Sequence, residues 1–155
     1  MDREIQEIIG LLERVYEKDA WHGPSVQESL KNISQEQAFS HVENAHSIIE
    51  LVAHMTSWKI YVLHMLKGDA TYKVDEHHNF PAAQDWSRTV GELAASQQAL
   101  IETLRIFHSA KLKQQAPGQY SHLTFYTLLH GIIHHDLYHT GQIMLIKKAA
   151  GIQTI

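Results

Sequence analysis

The sequence predicts an all-α protein, a four-helix bundle with long second and fourth helices. Apolar residues recur with the period of an amphipathic helix in four long segments, and almost no stretch alternates apolar and polar residues as a strand would. The chain has 155 residues, of which 44% are hydrophobic and 19% are charged, as is typical of an ordinary globular protein. We therefore predict one helical domain over residues 1–155.

The first helix is predicted from apolar residues spaced i, i+3, i+4 and i+7, which are Ile5, Ile8, Ile9, Leu12 and Val15. The segment 21–25, Trp-His-Gly-Pro-Ser, ends this pattern. A short helix through Leu30 is predicted to follow.

The second helix is predicted to begin at the capping-box pattern Ser34-Gln-Glu-Gln37 and to continue to Lys67. Gly68 provides the stop signal. Residues 69–83 have mixed charge together with an asparagine and a proline, and we predict that they form a loop.

The third helix is predicted to start after Asp85, a plausible N-cap, and to end at about Phe107. The turn residues Ala-Pro-Gly at 116–118 mark the next connection. The fourth helix is predicted from near Ser121 to Ala150, where Gly151 stops it.

Composition excludes several classes of protein. The net charge is −4, and the lysines cluster only at 147–148 and at 111 and 113, so the chain lacks the basic face of a nucleic-acid-binding protein. The charged N-terminal residues do not resemble a secretory signal, and no uncharged apolar run reaches the roughly 18 residues of a membrane span. We therefore expect a cytoplasmic protein without nucleic-acid or membrane partners.

The chain contains no cysteine, so disulfides, thiolate ligands and a cysteine nucleophile are excluded. Any metal ion must be held by His, Asp, Glu or Gln side chains. If the protein uses thiol chemistry, the thiol must come from a bound small molecule.

Histidine spacing indicates a metal site near the C-terminus. His135 and His139 lie four residues apart in a predicted helix, so both imidazoles point the same way and could bind one ion. Spacing alone is weak evidence, because random placement of 13 histidines gives about one such pair and the chain has a second at His130 and His134. The alternative is that these are ordinary core or surface histidines.

A helical wheel distinguishes the two pairs. At about 100° per residue, His135, His139 and Gln142 fall in one sector of the fourth helix together with apolar residues, whereas His130 and His134 lie roughly 100–140° away. The first pair is therefore the better candidate for the bundle interior. In the second helix His54 lies on an apolar and aromatic stripe, so it could supply a third ligand.

The neighbours of His54 suggest the surroundings of such a site. Trp58 and Tyr61 share its stripe and could form either pocket wall or ordinary core, and Glu50 lies one turn earlier as a weak candidate for a general base. A di-iron site is also conceivable because Glu43 and His46 fit the Glu-x-x-His spacing. We set it aside because the predicted fourth helix contains no glutamate.

Two motifs resemble those of the DinB-like metal-binding four-helix-bundle superfamily. They are Leu-Val-Ala-His-Met-Thr-Ser-Trp at 51–58 and His-Asp-Leu-Tyr-His-Thr-Gly-Gln-Ile at 135–143, and the segment 21–25 is similar to one branch of that family. The resemblance implies that His54, His135 and His139 coordinate a divalent ion, with zinc the first choice and nickel the second.

The resemblance also implies a homodimer and a range of activities. A second apolar stripe on the fourth helix, Ile133, Leu137 and Met144, needs a cover, which could be another helix of the bundle or another subunit. Relatives include transferases that join a low-molecular-weight thiol to a small electrophile. Our leading hypothesis is such a metal-dependent thiol S-transferase, with Trp58 and Tyr61 as pocket walls and Gln142 orienting a ligand.

Two other functions stay open at this point. One is a non-catalytic, metal-stabilised stress-response or binding module, and the other is a metal-dependent hydrolase with Glu50 as base. In all three cases protons should compete with the metal near the ordinary imidazole pKa of about 6.5, so the sequence predicts metal loss by about pH 5.

Overall fold

The computed structural model describes residues 2–17 and 19–154, and over these ranges it contains six α-helices and no strand. The predicted all-α class is therefore confirmed. The helices are α1 Arg3–Tyr16, α2 Val26–Ser29, α3 Ile48–Leu66, α4 Glu76–Asn79, α5 Trp86–Arg105 and α6 Phe125–Ala149. Within the described ranges, no helix is long and apolar enough to cross a bilayer.

The four long helices pack around an apolar core. The helix α3 contacts both α5 and α6, and α1 packs against the same two helices. The core buries Leu12 of α1, Met65 of α3 and Leu100 of α5 completely, and Leu129 of α6 is equally inaccessible. This packing stabilises α3 and α6 side by side, which decides which of their side chains can meet.

The predicted start of the second long helix was wrong. Ser34 and Gln37 do exchange the predicted capping hydrogen bonds, but these support only a 3₁₀ turn at Gln37–Phe39. Glu43 then adopts a left-handed backbone with φ 47°, which a helix cannot contain. The helix α3 begins 14 residues later than Ser34, at Ile48, after a capping box formed by Ser47.

The other boundaries lie closer to the predicted ones. Asp85 caps α5 by accepting a hydrogen bond from the Arg88 N–H, as predicted, although α5 ends two residues before Phe107. The helix α6 starts at Phe125 rather than near Ser121, because residues 118–120 form a separate 3₁₀ turn and Thr124 is the N-cap. The segment predicted as a loop at 69–83 contains the single turn α4.

The second apolar stripe of α6 is partly covered by α1. Ile133 is 4% exposed and belongs to the core, and Leu137 packs against that core. Leu11 and Val15 of α1 border the same groove. A helix of the same chain therefore covers much of this stripe.

A fully buried polar cluster crosses the bundle. The Lys59 ammonium of α3 donates to the Asp136 carboxylate of α6 at 2.5 Å and to the Gln97 side-chain oxygen of α5 at 2.8 Å. The Gln97 amide group then donates to the backbone oxygen of Leu12 at 3.1 Å. This cluster links all four long helices through a charged pair with no solvent access.

Candidate metal centre

The structure brings three histidines together where α3 lies beside α6. The Nε2 atom of His135 lies 3.0 Å from Nε2 of His54 and 3.1 Å from Nε2 of His139. Among the described residues, these three form the one group of three or more candidate ligands close enough to share a metal ion. The single histidine predicted on α3 therefore meets the i, i+4 pair predicted on α6.

Hydrogen bonds orient two of the three rings. Nδ1 of His54 lies 2.6 Å from the backbone oxygen of Asn79, and Nδ1 of His139 lies 2.6 Å from the side-chain oxygen of Gln142. Since a carbonyl oxygen only accepts, each Nδ1 donates its hydrogen and each Nε2 keeps a lone pair. This carbonyl-to-histidine arrangement is the one that commonly supports metal-ligating histidines.

The geometry fits a divalent ion. Bonds of 2.0–2.1 Å in a tetrahedral zinc site place neighbouring nitrogens about 3.3 Å apart, close to the two observed separations. Lone pairs this close repel one another unless a cation or a shared proton lies between them. Three neutral imidazoles suit a divalent metal ion and would leave room in its coordination sphere for another ligand.

Burial keeps the imidazoles neutral and ready to bind. Removal from water lowers the pKa of His54 to about 4 and that of His135 to about 3, and it also lowers the pKa of His139. Protons therefore compete with a metal at lower pH than the ordinary imidazole value suggests. The loss of metal by about pH 5 stays a prediction from the sequence.

Acidification is expected to destabilise the metal-free protein between about pH 6.5 and 4. Above this window His54 is neutral in both folded and unfolded chains and adds no pH dependence. Within it, the unfolded chain binds a proton that the folded protein excludes until its pKa of about 4, so stability falls as pH falls. Urea midpoints at about pH 7.5 and pH 5 measure this effect, and His54→Phe should reduce it. Equal midpoints for the wild type at both pH values would contradict the burial argument.

The end of the short helix α4 and the residue after it hold the His54 ring in place. Besides the backbone oxygen of Asn79, which accepts from His54 Nδ1, the Asn79 side-chain oxygen accepts a 3.0 Å hydrogen bond from the Trp58 indole. The Phe80 ring stacks on His54 at 4.1 Å and on His46 at 3.7 Å between centroids. The sequence analysis did not identify Asn79 or Phe80 as neighbours of His54. The one local signal for α4 was its N-cap Asp75, which accepts a hydrogen bond from the His78 N–H.

A cavity of about 430 Å³ opens beside the three histidines, and all three line it. Trp58 and Tyr138 contribute aromatic walls. Leu128 and Ile132 of α6 contribute aliphatic walls. A ligand in this cavity would therefore reach the side of the histidine cluster that the protein leaves open.

The comparisons with known proteins agree with the geometry. The family model of the DinB superfamily matches residues 20–143. The chain belongs to the DinB superfamily. The match contains all three clustered histidines, and the predicted family is confirmed. The comparisons with curated proteins and with solved structures each found no match.

The other predicted site residues of this DinB superfamily member differ in whether they reach the cavity. Trp58 lines the cavity, and Gln142 holds His139. Tyr61 is fully buried behind the cavity, where its hydroxyl accepts a hydrogen bond from the Tyr120 N–H. The Glu50 carboxylate accepts from the backbone and hydroxyl of Ser47, so it caps α3 and does not line the cavity.

The second histidine pair faces elsewhere. His130 and His134 border a groove beside Leu11 and Val15 of α1. Their ring centroids lie 6.4 Å apart, and neither belongs to the three-histidine group. Two pairs with identical spacing on one helix thus differ in their surroundings, which makes His130 and His134 matched controls for His135 and His139.

Replacing Gln142 by leucine is expected to weaken zinc binding by about 10–100-fold, because the His139 ring loses the acceptor that orients it. Gln142→Glu retains an acceptor and should bind zinc nearly as well as the wild type. Competition with a chromophoric chelator measures both affinities. Equal zinc affinity for Gln142→Leu and the wild type would show that this hydrogen bond does not support the site.

Proposed function

We propose that this protein is a metal-dependent thiol S-transferase that joins a low-molecular-weight thiol to a small electrophile. The proposal is supported by the Nε2 atoms of His54 and His139, which lie 3.0 and 3.1 Å from Nε2 of His135, and by the apolar cavity that all three rings border. Zinc is the proposed ion, and nickel is the alternative. A homodimer, which the family resemblance implies, and a cytoplasmic location stay predictions from the sequence.

The donor set supports this chemistry. A divalent ion held by three neutral imidazoles acts as a Lewis acid that lowers the pKa of a thiol or water offered to it. His54, His135 and His139 would hold the ion, with Asn79 and Gln142 fixing two of the rings. The cavity would hold the electrophile beside the ion.

The lining of the cavity favours thiol transfer over hydrolysis. Among the described residues that line it, none carries a carboxylate, and Glu50 is engaged in capping α3. Hydrolysis with Glu50 as base therefore lacks support. A thiol requires less help, because its ordinary pKa of about 8.5 is close to neutral. In the proposed reaction its sulfur bonds to the electrophilic carbon, its proton passes to solvent, and the electrophile's leaving group departs with the electrons of the broken bond.

The test is thiol conjugation to monobromobimane by zinc-loaded, nickel-loaded and metal-free protein across a panel of thiols. We expect metal-dependent turnover that falls at least about 100-fold in the His135→Ala/His139→Ala variant. The His130→Ala/His134→Ala variant removes the same two side chains outside the site and should retain activity. Metal binding that raises stability without turnover for any thiol would contradict the proposal and favour the metal-stabilised binding module.

A further inference from the structure

We propose that the cavity selects an uncharged, aromatic small molecule with one metal-coordinating head group and rejects the same molecule when it carries a carboxylate. This inference rests on the proposed function, since it requires a metal ion at the three histidines. It goes further by assigning the chemical class of ligand that occupies the rest of the cavity.

Apart from the metal ion, the walls supply apolar contact and no positively charged side chain. Trp58, Tyr120 and Tyr138 place aromatic rings at the cavity, and Leu128 and Ile132 add aliphatic surface. Among the described lining residues there is no lysine or arginine. A carboxylate held against these walls, away from the metal ion, would lose hydration without gaining an ion pair with a side chain, whereas an aromatic ring gains from burial.

Several polar groups of the lining are already paired within the protein. The Trp58 indole N–H donates to Asn79, and the Thr127 hydroxyl lies 3.0 Å from that of Thr124. The Tyr138 hydroxyl accepts from the Gln142 amide at 3.4 Å. These pairings leave ring faces and aliphatic chains as the main surface for a ligand, apart from the histidine nitrogens.

Gly131 gives a way to fill the cavity without touching the histidines. It lies one helical turn before His135 on the cavity-lining side of α6. A Cβ atom added there meets no atom within 4 Å, so a larger side chain has room to enter. Gly141 of the same helix also has open space at its Cβ and borders a different groove, which makes Gly141→Leu the matched control.

The experiment measures binding of three hydroxamates to the cobalt-loaded protein from changes in its visible absorption. Benzohydroxamate and 4-carboxybenzohydroxamate share the head group and differ by one carboxylate, and acetohydroxamate lacks the ring. We expect benzohydroxamate to bind at least about tenfold more tightly than either of the others. Equal or tighter binding of the carboxylated compound would overturn the inference, as would failure of benzohydroxamate to bind the loaded protein.

In Gly131→Leu the advantage of benzohydroxamate over acetohydroxamate should disappear, while Gly141→Leu should retain it. An unchanged advantage in Gly131→Leu would also overturn the inference, because the ring would then lie outside the cavity. Failure of the proposed function has a different signature. If the protein takes up no cobalt, the proposed metal site is wrong. If it binds hydroxamates with the expected selectivity but conjugates no thiol, the ligand selectivity is supported and the proposed transferase activity is not.

Discussion

Replacing Asp136 by asparagine is expected to lower the free energy of unfolding of the metal-free protein by about 3–5 kcal/mol. The Lys59 ammonium is fully buried and depends on the Asp136 carboxylate for its charge partner. Removing that negative charge leaves a positive charge in an apolar interior, with only neutral amide oxygens, that of Gln97 and the one at position 136, as acceptors. Urea denaturation, analysed as a two-state transition, measures the loss.

The double variant Lys59→Met/Asp136→Leu separates the charge pair from general disruption. Because it removes both charges and leaves apolar side chains of similar size, it should be more stable than Asp136→Asn alone. A loss below about 1 kcal/mol in the single variant, or a double variant less stable than the single, would show that an uncompensated Lys59 charge is not the cause of the loss.

Replacing His139 by alanine is expected to weaken zinc binding by more than about 100-fold, since removal of an outer hydrogen-bond partner alone costs 10–100-fold. The variant removes one of three ligands and leaves the ring of His135 without its neighbour at 3.1 Å. Calorimetric titration measures the affinity. The increase in melting temperature that saturating zinc gives the wild type should disappear in parallel.

His134→Ala is the matched control for this change. His134 lies on the same helix and belongs to a pair with the same spacing, but it is exposed and borders the α1 groove. Its zinc affinity should equal that of the wild type. If both variants lose zinc equally, the ion is bound by surface histidines and the interior site is excluded.

The sequence predicted the long helices because their apolar period and caps are local signals. Asp85 and Gly68 marked real helix ends, with Asp85 capping α5 and Gly68 taking a left-handed φ of 82° after α3. The capping box at Ser34 was equally local and formed its hydrogen bonds, yet it opened only a 3₁₀ turn. A cap shows where a helix can begin and cannot show how far it continues.

The histidine cluster was partly predictable for a similar reason. The helical wheel placed His135 and His139 on the inner face, and the stripe around His54 did the same for α3. That α3 and α6 would lie side by side came from the family resemblance, because no local pattern determines which helices become neighbours. The structure then places the three rings in contact.

Long-range polar contacts were beyond local reasoning. Lys59 pairs with Asp136 across 77 residues of sequence, and Asn79 reaches His54 across 25. No periodic pattern in the sequence predicts either contact, and lysine usually prefers the surface, so a buried lysine was not expected. Glu50 shows the converse, since it was considered as a base by its nearness to His54 and instead completes the cap at Ser47.

Elemental analysis of the untagged protein tests the central claim most directly, after reconstitution with zinc and removal of excess ion. We expect one zinc per chain in the wild type and in His130→Ala/His134→Ala, and about none in His54→Ala/His139→Ala. A wild-type protein that retains no zinc or nickel would contradict the account, and so would a His54→Ala/His139→Ala variant that retains as much metal as the wild type.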